Sequence, residues 1–300
     1  MNVNNKTLVI IAGPTAVGKT AFCVQLAKRL QTEIISADSR QFYKETVIGT
    51  AAPTKKEMDG VPHHFVGNLS IFDYYNVSIY EREAMALLGN LFQEKDFVIA
   101  TGGSGLYIDT LCYGIDNLPD IDLNLRNSLI QRFQKEGLEP LVEQLQQLDE
   151  EYFAIVDKKN PKRVVRALEV CLQTGQTYTS LRKKTKNNRD FKIIKICLTL
   201  PREQLNQRIC LRTDEMMQKG FLQEAKKLFP YKKLNTLNTL GYRELFDYLE
   251  EKISLEEAVD KIKTNTKRYA KRQMTWFKRE GNNYTFLERP TLDDVLKIIK

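Results

Sequence analysis

The run Thr7-Leu8-Val9-Ile10-Ile11-Ala12 leads without a break into Gly13-Pro14-Thr15-Ala16-Val17-Gly18-Lys19-Thr20. An unbroken apolar run of this length reads as a strand buried on both faces of a parallel sheet. The residues after it match G-x-x-x-x-G-K-[ST], in which glycines let successive backbone N–H groups turn inward around an anion. A helix from about Gly18 to Leu30 is expected next, and its positive N-terminal end adds to the pull on that anion. Lys19 supplies a point charge, and the Thr20 hydroxyl suits Mg²⁺. Strand, loop and helix in this order are the context the motif requires. They specify a phosphate or diphosphate ligand; they do not specify ATP.

Working outward, Glu33–Ala37 (EIISA) reads as a second short strand that ends at Asp38-Ser39. Val77–Lys95 has helical spacing of its apolar residues, and Phe97–Ala100 reads as a third buried strand followed by Thr101-Gly102-Gly103-Ser104-Gly105. Strand and helix in alternation predict an α/β fold, a parallel sheet with helices on both faces. Ligands of such sheets bind beyond the carboxyl ends of the strands, so Asp38 is expected near the phosphate loop. That is a place for a general base or an indirect metal ligand. Most phosphate-loop enzymes put a metal-binding acid at a strand end; the third strand here ends in Thr101-Gly102-Gly103 instead.

From Leu123 to Thr174 the pattern is helical throughout, punctuated by Gly137 and Pro161. Lys183–Asp190 is polar and expected to be a loop, and Phe191–Leu200 (FKIIKICLTL) returns as a strand. This predicts a P-loop NTPase-like core formed by residues 1–115 and 190–300, with an inserted all-helical subdomain at 116–189. Tyr284–Leu287 is expected to be a last strand.

A chain of 300 residues can bury a proper core without staples. The five cysteines (Cys23, Cys112, Cys171, Cys197 and Cys210) form no C-x-x-C pair, which suits a reduced, cytoplasmic protein and argues against a zinc site. The opening residues do not read as a signal peptide, and no apolar run reaches the roughly 18 residues of a membrane helix. The net charge is +8, yet it is unevenly placed. Lys158–Lys192 holds eleven basic and two acidic residues, and Lys261–Glu280 holds eight basic and one acidic. Clusters of this kind are the footprint of a nucleic-acid backbone. In the second cluster Lys263, Lys267 and Lys271 follow i, i+4 spacing beside Arg268 and Arg272, while Ile262, Tyr269, Ala270, Gln273 and Phe277 mark a docked face. A small-molecule kinase, or a prenyltransferase acting on free adenine nucleotide, shares the phosphate loop but needs neither cluster. A non-catalytic RNA-binding protein needs the clusters but not the loop.

Several blocks together narrow these alternatives. Asp38-Ser39-Arg40-Gln41, Ile48-Gly49-Thr50-Ala51 with Pro53, Gly102-Gly103-Ser104-Gly105-Leu106-Tyr107 and Arg166-Ala167-Leu168-Glu169-Val170 resemble blocks of the tRNA dimethylallyltransferases (tRNA isopentenyltransferases). So do Gly241-Tyr242-Arg243-Glu244, Thr266–Gln273 and Thr275-Trp276-Phe277, and all stand in family order over almost the whole chain. The resemblance is to the bacterial form, since the eukaryotic branch adds a zinc finger with no counterpart here. It implies transfer of a dimethylallyl group from dimethylallyl diphosphate to N6 of the adenosine 3′ of the anticodon, in tRNAs reading codons that begin with U. The phosphate loop, Gly13 to Thr20, then holds the diphosphate of a prenyl donor, assisted by Mg²⁺ at Thr20. Carried over by position, Asp38 takes the proton of the adenine amino group. Lys19, Thr20 and Arg212 neutralise the departing diphosphate. The resemblance assigns tRNA contact to Asp38, Ser39, Arg40, Gln41, Ser104, Arg126, Lys162, Arg163, Val164, Val165, Arg166, Gly241, Tyr242 and Arg243. Ser104 stands where the family more often has threonine, and Thr101 where it has valine. Gln41 and Arg40 are placed to hydrogen-bond a base drawn out of its stack. The expected protein is monomeric.

Other eye-catching residues read as structural. His63-His64 follow Pro62 in an expected loop with no third ligand at useful spacing. Phe72, Tyr74, Tyr75 and Tyr80 are expected to pack, and Trp276 to sit in the core.

Overall fold

A computed structural model of the chain describes residues 6–116, 118–120, 122–182 and 187–299. The chain divides into two compact units, one made of residues 1–113 and 188–300 and the other of 114–187.

The first unit is built on β1 (Thr7–Ala12), every residue of which is buried. The other strands are β2 (Ile34–Ser36), β3 (His63–His64), β4 (Phe97–Gly102), β5 (Lys192–Thr199) and β6 (Thr285–Glu288). Their order is β3-β2-β4-β1-β5-β6, and all pairs are parallel. Side chains of a strand alternate between faces, and β1 fills both cores in this way. Leu8, Ile10 and Ala12 pack on one face with Ile35, Val98, Phe42 and Tyr80. Val9 and Ile11 pack on the other with Ile34, Ile99, Ile196 and the inner residues of helix Lys19–Leu30, Cys23, Leu26 and Ala27. A strand sandwiched like this cannot alternate polar and apolar residues, which explains its continuous apolar run. The sheet order matters for function: β1 and β4 are neighbours, with Ala12 opposite Gly102, so the phosphate loop and the glycine turn after β4 leave the same edge together. β2 lies on the far side of β4, Ser36 opposite Thr101, and delivers Asp38 to that edge.

The expected strands are found with ends shifted by a few residues. One element differs in kind. His63-His64 are not loop residues but the edge strand β3, paired with Ile34 and Ile35. Their rings are used locally, His63 Nδ1 at 2.8 Å from Val61 O and His64 Nε2 at 2.6 Å from a Glu33 carboxylate oxygen. Packing also differs from expectation. Tyr80 is fully buried, but Phe72 and Tyr74 are exposed. Trp276 is only half-buried; its indole N–H donates to Asp109 Oδ2 at 2.9 Å and Arg279 lies over its ring. All five cysteines are free thiols, and burial pushes Cys23 and Cys197 up to about 12.

The second unit is helical. Its helices are Leu123–Glu136, Glu139–Leu148, Glu150–Ile155, Pro161–Thr174 and Tyr178–Leu181. Their ends follow from local chemistry: Asp122 caps the first, Gly137 ends it, and Asn160 with Pro161 opens the fourth. Leu129, Leu141, Leu145, Tyr152, Val164 and Leu168 form its core. The expected polar loop at 183–190 has its 183–186 portion outside the described residues. Glu169 is 1% exposed and holds two arginines: Arg126, which pairs with both carboxylate oxygens, and Arg166 at 3.2 Å. Removing a partner from such a carboxylate leaves buried charge poorly compensated. Arg126→Ala is expected to lower stability by about 3 kcal/mol, measured by urea unfolding of the whole chain. A shift within error would make the pair decorative.

Candidate active site

The phosphate loop departs from β1 under tight steric control. Gly13 has φ 150°, and a Cβ there would lie 2.7 Å from the Leu198 carbonyl oxygen of β5. Gly18 and Ala16 both take left-handed conformations, φ 108° and 65°. These turns bring the chain into helix Lys19–Leu30, whose first N–H groups have no side-chain cap from Gly18 and no partner within the helix. Lys19 Nζ donates to the carbonyls of Gly13 (2.9 Å) and Pro14 (3.0 Å). Its amine is pushed down to about 8, first by burial and further by Arg212, while Asp38 opposes the shift.

Asp38 follows β2. Its Oδ1 accepts the Arg40 N–H at 3.2 Å, and the Ala37 N–H donates to Thr101 O at 2.7 Å, fixing the strand end beside β4. The glycines after β4 are explained by what fills their space. A Cβ on Gly102 would meet the Ala37 carbonyl oxygen at 2.4 Å. One on Gly103 would meet Gln273 Nε2 at 2.1 Å, and one on Gly105 the Trp276 ring at 2.2 Å. Ser104 supplies the remaining tie: its hydroxyl accepts the Ser39 N–H at 3.1 Å and lies 3.1 Å from the Ser39 hydroxyl.

Helix Arg202–Gln218 closes the other side of the loop. Arg212 donates to the Thr15 hydroxyl, and Arg208, one turn earlier, donates to Val17 O at 3.3 Å. Burial lowers the Arg212 pKa, and Asp38 counters that shift. Two clefts result. The first, about 500 Å³, is lined by Thr15, Lys19, Thr20, Asp38, Arg208 and Arg212 among others. The second, about 340 Å³, is lined by Ser39, Arg40, Gly241, Arg243, Tyr269 and Arg272 among others. Asp38, Thr15, Thr50 and Arg212 line both. A cation-rich phosphate site and a basic, aromatic-bearing cleft thus meet at one carboxylate. Such an arrangement can hold an anionic leaving group on one side and an electron-rich acceptor on the other, with a base between them.

The sequence-derived site residues divide accordingly. Thr15, Ala16, Gly18, Lys19 and Thr20 of the phosphate loop share the first cleft with Asp38, Gln41 and Arg212; Ser39, Arg40, Gly241 and Arg243 line the second. Gln41 donates to Thr50 O and Ala51 O, and Arg40 donates to Thr236 O, so both side chains are anchored by backbone carbonyls. At three positions assigned to RNA contact the side chain is buried. Tyr242 is 0% exposed, and its hydroxyl donates to Glu224 at 2.5 Å; that carboxylate also accepts the N–H groups of Ile48 and Gly49. It is a clamp on the Ile48–Thr50 loop. Val164 and Val165 belong to the core of the helical unit. Arg126 and Arg166 are committed to Glu169, whereas Lys162 and Arg163 are exposed on the first turn of their helix. In the C-terminal basic cluster Lys263 is paired with Asp214 at 2.6 Å, while Lys271 and Arg272 are exposed.

Among the lining residues of the first cleft that sequence reading does not assign to the site are Arg208 and Gln273. Arg208 was legible in principle, one helical turn from Arg212. The sequence marks Gln273 as a docked helix position with no task in the site.

The IPP transferase family model matches residues 41–280. The chain belongs to the IPP transferase family. Among relatives in the family, a tRNA dimethylallyltransferase 1 from Phocaeicola vulgatus is 51% identical over 274 residues, 91% of each chain. A tRNA dimethylallyltransferase 2 from Porphyromonas gingivalis is 44% identical over 299 residues, the full extent of both. The fold is similar to that of the full-length tRNA isopentenylpyrophosphate transferase of Bacillus halodurans, at 36% identity and a TM-score of 0.70, over 99% of this chain and 95% of that one. It is also similar to a eukaryotic dimethylallyltransferase solved acting on tRNA, at 26% identity and a TM-score of 0.81, over 98% of this chain and 76% of that one.

Proposed function

We propose that this chain is a tRNA dimethylallyltransferase. It moves the dimethylallyl group of dimethylallyl diphosphate to N6 of the adenosine 3′ of the anticodon in tRNAs reading codons that begin with U. The observation that carries this reading is the meeting of the two clefts at Asp38. The names borne by the full-length relatives support it. The first cleft takes the diphosphate and the second the flipped adenine, so donor C1 and acceptor N6 come together beside the carboxylate. The C1–O bond breaks, the electron pair leaves with diphosphate, the N6–C1 bond forms, and the N6 proton passes to Asp38. Lys19, Arg212 and the loop N–H groups take up the charge that builds on the leaving oxygen.

Among the described residues no cluster of three or more His, Cys, Asp or Glu is placed to hold a metal ion. Of the two loop hydroxyls, Thr15 is engaged by Arg212, and Thr20 lies in a cleft fit for diphosphate oxygens. That suits Mg²⁺, a hard cation that keeps waters and binds largely through substrate phosphates. Bound there, it supplies further charge neutralisation to the diphosphate. No helix among the described residues is long and apolar enough to cross a membrane; with five free thiols, the cytoplasm is the proposed compartment, and the chain is proposed to act as a monomer.

The acceptor is the point on which the alternatives differ. With dimethylallyl diphosphate and Mg²⁺, unmodified tRNA is expected to be prenylated while AMP is not. Turnover of AMP at a comparable rate would favour a free-nucleotide enzyme. Donor binding should also depend on pH. A bound diphosphate favours the protonated Lys19 amine. The lysine's contribution to affinity is therefore full below the free-enzyme pKa of about 8 and falls as pH rises through it, by up to about tenfold per pH unit. Calorimetry in two buffers would show proton uptake in the same range. A flat profile with no uptake would remove the Lys19 amine from the diphosphate site.

A further inference from the structure

Gln273 is 5% exposed and lies on helix Leu255–Phe277. Its Oε1 accepts the Thr15 N–H at 2.9 Å, and its Nε2 donates to the Gly103 carbonyl at 2.9 Å. Both bonds are buried or partly so, and both reach segments remote in sequence. Gly103 is bare where Gln273 sits: a Cβ at that position would stand 2.1 Å from Nε2. The same ideal Cβ would be 3.8 Å from Asp38 Oδ2, so the amide lies close to the base as well as the loop. Thr15 passes the contact on, since its hydroxyl accepts from Arg212. One residue earlier on the helix the chain faces the other cleft, where Thr266, Tyr269 and Arg272 form part of the lining. A single helix therefore presents Ile262, Thr266, Tyr269 and Arg272 to the acceptor cleft and a buried amide to the donor loop.

We infer that Gln273 is a positioning residue that couples the two clefts. Occupation of the acceptor cleft fixes the helix around Tyr269 and Arg272. Gln273 carries that order to Thr15, to the arginine held by Thr15, and to the turn beside Asp38. Donor and RNA then bind cooperatively, and the phosphate loop is set for the reaction when an acceptor is present. Coupling of this kind is reciprocal, so it is readable from either ligand. The inference rests on the proposed donor and acceptor, and its test separates the two.

The test is calorimetric titration of a non-reactive thio-analogue of dimethylallyl diphosphate, with and without saturating unmodified anticodon stem-loop RNA. In the parent protein the RNA is expected to tighten the analogue about tenfold, and the analogue to tighten the RNA by the same factor. Gln273→Met keeps the volume and removes both hydrogen bonds. Gly103→Ala leaves Gln273 in place but pushes its amide aside. Both variants should bind each ligand alone yet show the coupling reduced to about twofold or less. A lost core contact alone would lower the melting temperature without changing this ratio. Undiminished coupling in either variant that melts cooperatively, or no coupling in the parent, would overturn the inference. A parent that binds neither the analogue nor the RNA would instead overturn the proposed function.

Discussion

Asp38→Ala is expected to slow prenyl transfer at saturating donor and tRNA by about 10²–10⁴-fold, the usual range for loss of a general base. Both substrates should still bind within a few-fold of the parent affinity. The expectation comes from position: Asp38 lines both clefts, and its carboxylate accepts the Arg40 N–H through Oδ1. Asp38→Asn sharpens the test. It keeps the shape and an acceptor for Arg40 but is a far weaker base, so it should lose nearly as much as alanine. Rapid-quench single-turnover kinetics give the chemical step directly. A rate for either variant close to the parent's would assign the proton to another group.

The second large effect is expected at the leaving group. Lys19→Ala should lower kcat/KM by about 10²–10³-fold, as removal of one preorganised charge donor does elsewhere. The charge set around the loop is small enough for one member to matter. Lys19 and Arg212 both line the cleft, and their bonds run to neutral oxygens of the loop itself, Gly13 O, Pro14 O and the Thr15 hydroxyl. Those bonds can be exchanged for diphosphate without breaking a salt bridge. Arg212→Lys is not expected to restore activity, because an ammonium cannot reproduce the planar two-donor fork of guanidinium. Steady-state kinetics with varied donor at saturating tRNA measure both variants. Retention of parent kcat/KM in Lys19→Ala would remove the lysine from the diphosphate site.

How much of this was readable beforehand depended on whether the signal was local. The buried β1 run, the phosphate loop and Asp38 at the end of a strand are short-range patterns with strong physical constraints, and the structure places them at one edge of the sheet. β3 was missed because two residues carry no periodicity; its pairing with β2 is a tertiary fact. Tyr242, Val164 and Val165 lie in blocks that resemble RNA-contacting segments, yet their side chains face inward, because a motif reports a segment and burial is decided residue by residue. Gln273 was the hardest to see. A glutamine on a helix reads as surface or dock, and its partners are 258 and 170 residues away in sequence. The glycine at 103 carried a trace of it, since a glycine beside a strand end often marks the close approach of something else. The charge clusters were visible as composition, but which cations are spent internally was not. Lys263 answers Asp214, and Arg126 answers Glu169, contacts that only the folded chain brings together.

The most direct measurement is mass spectrometry of tRNA incubated with the protein, dimethylallyl diphosphate and Mg²⁺, then digested to nucleosides and mapped fragments. The expected result is N6-dimethylallyladenosine in the anticodon-loop fragment, at the position 3′ of the anticodon, with one diphosphate released per base modified. An unmodified anticodon loop under conditions where the protein is folded and binds both substrates would contradict the assignment of this cleft to prenyl transfer.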